Sequence, residues 1–411
     1  MQDSLLIKIV FLYSLIAFFV PTSALSMKMT AVGLICVAGM LIMRSIKNKN
    51  FPFLVFSLFI VTYCIVPLNY LFGLEEHIID RVTFVETKDT VFLSAHCLLT
   101  FLSTFLLASK FDVPMQCRMQ STYMQISNPT GYIICAVLAV LCIVFGVTGE
   151  NIFESGGYAQ GDSERSSLYE YGIIFIALSL IYSKSRAQRN LIYALCAIFI
   201  IKDLMYGGRI SSIELILAIF MLRYLNSFSF PKVIVCVILG YIFFQFWGLY
   251  RSGMSSSGFD MSEADGNSQY VVYASMRIHY MIEEGVLNWS SRIYSLICFL
   301  LSAFVPTSNL PALANLSSYK SSEYYTGGGG LISTFIYCWA WFPGIVIVAH
   351  WIGKSITKFF HTQSIYWKFY ALLLIITTPR WFAYYPSQLI KYTVYGVLTF
   401  YLLNRLVKRT S

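Results

Sequence analysis

Charge is scarce in this chain: of 411 residues only 12% are charged against 57% hydrophobic, and the mean hydropathy is +0.67. So few charged side chains cannot cover a soluble globule of this length, which excludes a water-soluble enzyme. Acidic residues are the scarcest, with Asp+Glu 20 against Lys+Arg 29. The basic excess does not mark a nucleic-acid binder, because the basic residues sit in small clusters between apolar runs and not along one polar face. CxxC pairs are absent, so there is no framework for zinc or dithiol redox chemistry. Cys36, Cys64, Cys97, Cys135, Cys142, Cys196, Cys236 and Cys338 lie inside apolar runs, where no disulfide network is implied. The chain also lacks a GxxxxGK[ST] loop, HExxH, GxSxG and an Asp-x-Asp pair. ATP hydrolysis and cytoplasmic sugar-nucleotide chemistry are therefore disfavoured, and no metal or cofactor is expected. Finally, no fixed-period repeat and no pair of related transporter halves is visible.

What the chain has is apolar runs. They recur at about 5–20, 27–43, 51–72, 91–109, 131–149, 170–183, 190–206, 210–226, 233–249, 331–352, 365–379 and 387–405. This pattern predicts an all-α polytopic membrane protein of about twelve transmembrane helices, with residues 1–411 as a single integral membrane domain. Ser23-Ala24-Leu25-Ser26 loosely resembles a signal-peptide cleavage site. An uncleaved first span is preferred, because only Lys8, opposite Asp3, stands where a basic leader region would be. Basic residues cluster at Arg44/Lys47/Lys49, Lys110/Arg118, Lys184/Arg186/Arg189, Arg223/Lys232, Lys354/Lys358 and Arg405/Lys408/Arg409. The positive-inside rule puts these loops and both termini in the cytoplasm. The opposite loops are acidic, and the longest of them, about 250–330, lies between the ninth and tenth spans. Within it Ile293–Val305 is apolar but too short to span. Counting it as a span would also turn Lys354/Lys358 and the basic tail outward, so it is assigned as a re-entrant or interfacial segment.

Arginines on the external side run against the topological bias and need another explanation. Arg209, Arg251, Arg277, Arg292 and Arg380 qualify. Arg209 follows Gly207-Gly208 at the start of the eighth span, where free backbone N–H groups and the helix dipole favour an anion. Arg251 ends the ninth span and Arg380 follows Pro379 at the end of the eleventh, so these three guanidinium groups are expected at one membrane level. Guanidinium forks suit phosphate or pyrophosphate oxygens. The plain alternative is that each arginine snorkels to the interface or pairs with a carboxylate such as Asp203. His279 lies on a short amphipathic helix of the long loop, where it is either a general base or simply solvated. Glu214, a carboxylate at membrane depth, is a functional candidate or lines a polar cavity, and five residues is a poor helical spacing for pairing with Arg209. Asp260 to Asn267 does not match a calcium loop and reads as solvated. Tyr319, Tyr324, Tyr325, Trp381, Tyr384 and Tyr385 crowd the external side, as an interfacial belt or as faces for sugar rings.

Tyr206-Gly207-Gly208-Arg209 opens one span. Tyr324-Tyr325-Thr326-Gly327-Gly328-Gly329-Gly330-Leu331 closes the long loop ahead of Trp341-Phe342-Pro343-Gly344. With the spans and the external loop, these segments make the chain resemble the O-antigen polymerases of the Wzy type, although Ile210 stands where that family has a small residue. The resemblance implies a multi-pass protein of the bacterial inner membrane. Its substrates would be undecaprenyl-pyrophosphate-linked oligosaccharide repeat units, joined at the periplasmic face with lipid pyrophosphate as leaving group. The implied partners are that lipid-linked oligosaccharide, membrane lipid, and a chain-length regulator and a flippase of the same pathway. Arginines would stabilise the leaving group and His279 or an acid would act as base, with Gly327 to Gly330 as a flexible return. An O-antigen ligase, which transfers glycan to lipid A-core, and a polysaccharide or lipid flippase are the alternatives.

Overall fold

The computed structural model describes residues 2–48, 50–73, 87–109, 124–146, 167–205, 208–224, 229–251, 266–305, 309–324 and 329–410; it is helical, with no strand among the described residues. In chain order the helices are α1 (Gln2–Ile16), α2 (Ala24–Lys47), α3 (Phe51–Leu71), α4 (Lys88–Ala108), α5 (Pro129–Phe145) and α6 (Ser167–Tyr182). They continue with α7 (Arg186–Met205), α8 (Ile210–Ile219), α9 (Phe230–Arg251), α10 (Gly266–Glu283), α11 (Trp289–Leu301) and α12 (Ser321–Tyr324). The last are α13 (Ile332–His361), α14 (Ile365–Ile376), α15 (Thr378–Ala383) and α16 (Ser387–Thr410).

Each apolar run named above lies largely on one of these helices, and the starts are fixed by local chemistry. Asn50 and Asn128 accept from the N–H groups of Phe53 and Gly131, each with a proline in the first turn. Ser23 and Ser26 form a reciprocal capping box at the start of α2. Among the described residues four helices are long and apolar enough to cross a membrane: Ala24–Lys47, Pro52–Leu71, Lys88–Ala108 and Ile332–Phe359. Shorter apolar helices stand at Leu5–Phe19, Pro129–Phe145, Leu168–Tyr182, Trp289–Leu301 and Ile365–Ile376. The described part of the chain is thus all-helical and of transmembrane character.

It divides into two compact units, where the sequence suggested one membrane domain. The first unit is Met1–Met115, Gly266–Lys358 and Thr378–Lys391; the second is Gln116–Asp265, Phe359–Thr377 and Tyr392–Ser411. In the first unit α4 is the central helix, with nearly every side chain from Thr90 to Leu106 buried, and α1, α2, α3 and α10 pack around it. Close approach depends on small residues: a Cβ at Gly33 of α2 would lie 2.9 Å from Leu99 Cδ2, and one at Gly353 of α13 would lie 2.9 Å from Ser109 Oγ. In the second unit the Tyr169 hydroxyl donates to the Phe199 carbonyl at 2.6 Å and the Tyr182 hydroxyl to Asn404 Oδ1 at 2.7 Å.

Three findings depart from the sequence reading. The run 331–352 is not one straight helix, because α13 breaks at Ala340 (φ −141) and Trp341 (φ 57, ψ −162). Pro343 has no N–H for the Trp339 carbonyl and its ring crowds that turn, which is the physical reason for the break. The region 250–330, read as a loop with a short amphipathic helix around His279, contains the 18-residue helix α10, whose residues Val271 to His279 are buried. The segment expected at Ile293–Val305 begins earlier, at Trp289, because the Asn288 side chain accepts from the Ser291 N–H. At 13 residues, α11 is about 20 Å long, short of the roughly 30 Å of a hydrocarbon core.

Candidate functional site

In the first unit the site is built on α10. Arg277, 4% exposed, donates from Nε to the Tyr324 carbonyl at 2.9 Å. Its guanidinium lies 4.6 Å from the Tyr280 ring centre and 5.8 Å from that of Tyr324. Two of the residues singled out in the sequence, Arg277 and Tyr324, are therefore in direct contact, held by a hydrogen bond and by the ring faces. His279, two residues on, is 0% exposed, not solvated as a loop histidine would be. The reason is its helix: α10 packs against α3 and α4, and the imidazole faces α13. Its Nε2 lies 3.4 Å from Thr334 Oγ1, its ring meets the Tyr337 ring edge-on at 5.2 Å between centres, and its Nδ1 has no hydrogen-bond partner.

Burial, and after it the charge of Arg292, lowers the His279 pKa to about 3, on a helix that is not one of the four candidate spans. The neutral imidazole is the form the fold selects. Because the folded pKa lies below the ordinary value of about 6.5, the stabilisation is complete above that value and is lost as pH falls from about 6.5 toward about 3, where only the unfolded chain takes up the proton. The thermal midpoint of the detergent-solubilised protein is expected to fall between pH 7 and pH 4, and to fall less in His279→Gln. Parallel pH curves for the two proteins would refute the assignment.

Arg292 on α11 is 6% exposed, and two of its three guanidinium nitrogens are engaged by backbone. Nη2 donates to the Tyr337 carbonyl at 2.9 Å, Nε donates to the Cys338 carbonyl, and the guanidinium lies 4.1 Å from the Trp289 ring centre. The Gly-rich return is in place at its end: the Gly330 N–H donates to the Ala383 carbonyl at 3.2 Å, and Gly329 has φ +101 beside Tyr384. Arg380 is on the short helix α15, half-buried, and its carbonyl accepts from the Tyr384 and Tyr385 N–H groups. Tyr325, Gly327 and Gly328 lie outside the described residues.

In the second unit Arg209 is the N-cap residue of α8, partly exposed, and makes no side-chain cap. The first turn of α8 is served instead by Asp203, whose Oδ2 accepts from Ser212 N at 3.0 Å and from Ser212 Oγ at 2.6 Å. An internal carboxylate thus takes one of the N-terminal N–H groups that the sequence offered to a substrate anion. Glu214 is fully buried one turn further on, and Lys202, buried beside Asp203 on α7, donates to the Ile143 carbonyl at 3.4 Å. Arg251 is the last residue of α9. Lys202, Thr334, Tyr337 and Ser295 went unremarked in the sequence; the only available signal was that Lys202 is a cation deep in an apolar run.

Arg209, Glu214 and Arg251 belong to the second unit, and Arg277, His279, Arg292, Tyr324, Gly329, Gly330 and Arg380 to the first. Among the described residues no three His, Cys, Asp or Glu side chains come together as metal ligands. No protein-family model, curated protein or solved structure matches this chain.

Proposed function

We propose that this chain is a polymerase of lipid-linked oligosaccharide repeat units in the bacterial inner membrane. The reading takes about twelve spans, cytoplasmic termini and a periplasmic region from about 250 to 330, with α11 lying in or re-entering the interface. The observation that carries it is Arg209, the partly exposed N-cap residue of an apolar helix directly after Gly208, in the segment that resembles the polymerase family. In the reaction, the oxygen of an acceptor sugar hydroxyl bonds to the anomeric carbon of the growing glycan as that carbon's bond to undecaprenyl pyrophosphate breaks. The acceptor proton goes to a base, either an external carboxylate or His279, whose pKa of about 3 makes it the weaker of the two. The negative charge gathering on the departing pyrophosphate is met by arginine, with Arg209 the group assigned to it.

Deleting the gene tests this against ligase and flippase alike. A polymerase deletion is expected to leave lipid A-core capped by a single repeat unit on a lipopolysaccharide gel. Bare core with polymer accumulating on the carrier lipid would identify a ligase instead, and bare core with repeat units trapped inside a flippase. Either result overturns the proposal.

A further inference from the structure

The break in α13 is held from one side by one face of α11. Arg292, Ser295 and Phe299 are three and four residues apart and so share a face. Each meets the last turn before the break. Arg292 donates to the carbonyls of Tyr337 and Cys338. Ser295 Oγ accepts from Trp339 Nε1 at 3.0 Å and donates to the Leu313 carbonyl at 2.8 Å. The Phe299 ring lies 4.2 Å, centre to centre, from Trp339. The carbonyls Arg292 takes are those a helix leaves unsatisfied at its C-terminal end, and inside an apolar span they have no water to turn to. The break is strained as well. Trp341 has φ 57 and ψ −162, a conformation that favours glycine. The half-helix before the break carries Thr334 and Tyr337, the two side chains that frame His279.

We infer that Arg292 is a positioning residue: its guanidinium clamps the broken end of the half-helix Ile332–Trp339 and so fixes Thr334 and Tyr337 around the His279 imidazole. It does not hold substrate phosphate. The link from this clamp to the reaction rests on the proposed polymerase function; the clamp itself does not.

The test uses the full-length protein in membranes with Cys338, which is fully buried, as the single remaining cysteine, and reads the rate of maleimide labelling. A parallel protein keeps only Cys64, equally buried on α3, as a measure of global unfolding. Arg292→Ala is expected to raise Cys338 labelling at least tenfold while Cys64 stays protected, and Arg292→Lys, which still donates to carbonyls, is expected to keep Cys338 protected. Where Arg292→Ala opens both sites, the milder Arg292→Gln decides, and selective opening of Cys338 supports the clamp. Protection of Cys338 in Arg292→Ala overturns it, and so does opening only together with Cys64 in both variants. In cells, Arg292→Lys is expected to retain the polysaccharide ladder. A lost ladder with Cys338 still protected would mean that the guanidinium itself meets substrate, which also overturns the assignment. An unchanged lipopolysaccharide in the deletion strain would refute the polymerase reading and leave the labelling result standing.

Discussion

A strain carrying Arg209→Ala at normal protein level is expected to lose its polysaccharide ladder, and Arg209→Lys is expected to lose most of it. Asp203 already serves the Ser212 N–H, so the start of α8 has a carboxylate of its own and depends on Arg209 for positive charge toward an incoming anion. Removing one preorganised donor at a developing oxyanion slows catalysis by about a hundredfold to a thousandfold, a loss the ladder would register. Lysine keeps the charge but offers a compact ammonium in place of a planar fork, so a bidentate pyrophosphate contact is not restored. The ladder on a lipopolysaccharide gel, normalised to immunoblotted protein, gives the answer. Wild-type chain length in Arg209→Ala would remove this residue from the reaction and take away the main support of the polymerase reading.

The helices were legible because their signals are local. Apolar runs of membrane length, and caps such as Ser23, Asn50 and Asn128, act within a few residues of themselves and need no partner elsewhere in the chain. Arg209 at a helix start was legible for the same reason. The rest depends on contacts distant in sequence. His279 is buried because α10 packs against α3 and α4, and nothing within ten residues of His279 announces that packing. Arg292 reads as an external cation until Tyr337 and Cys338, some forty-five residues on, are seen to present their carbonyls to it. The break in α13 was marked in the sequence by Pro343-Gly344, but a proline inside a membrane span is common enough to be read through. Pro343 makes the break, but the clamp that holds it from the other side is contained in no local pattern.

Gly329→Ala is expected to be among the most damaging single substitutions in the first unit, although it adds only a methyl group. Gly329 has φ +101, outside the range that side-chain-bearing residues adopt readily, so the backbone there is strained by about 1–3 kcal/mol once a Cβ is present. That Cβ would also lie 2.7 Å from Tyr384 Cα and 2.9 Å from the Ala383 carbonyl oxygen. Both neighbours are backbone, and the same carbonyl accepts the Gly330 N–H at 3.2 Å, so moving it away breaks the hydrogen bond that joins the return segment to α15. Strain, clash and a lost hydrogen bond act together, for a combined loss of roughly 3 kcal/mol or more. Gly39, in the middle of α2, is the matched comparison, since its added Cβ would meet nothing within 4 Å. There the change to alanine removes a helix-interior glycine and is expected to leave stability unchanged or raise it by about 0.5–1 kcal/mol. Thermal midpoints of the two purified variants in detergent distinguish the cases: a large fall for Gly329→Ala beside none for Gly39→Ala is expected. Equal midpoints would mean that the return segment does not hold this conformation against α15.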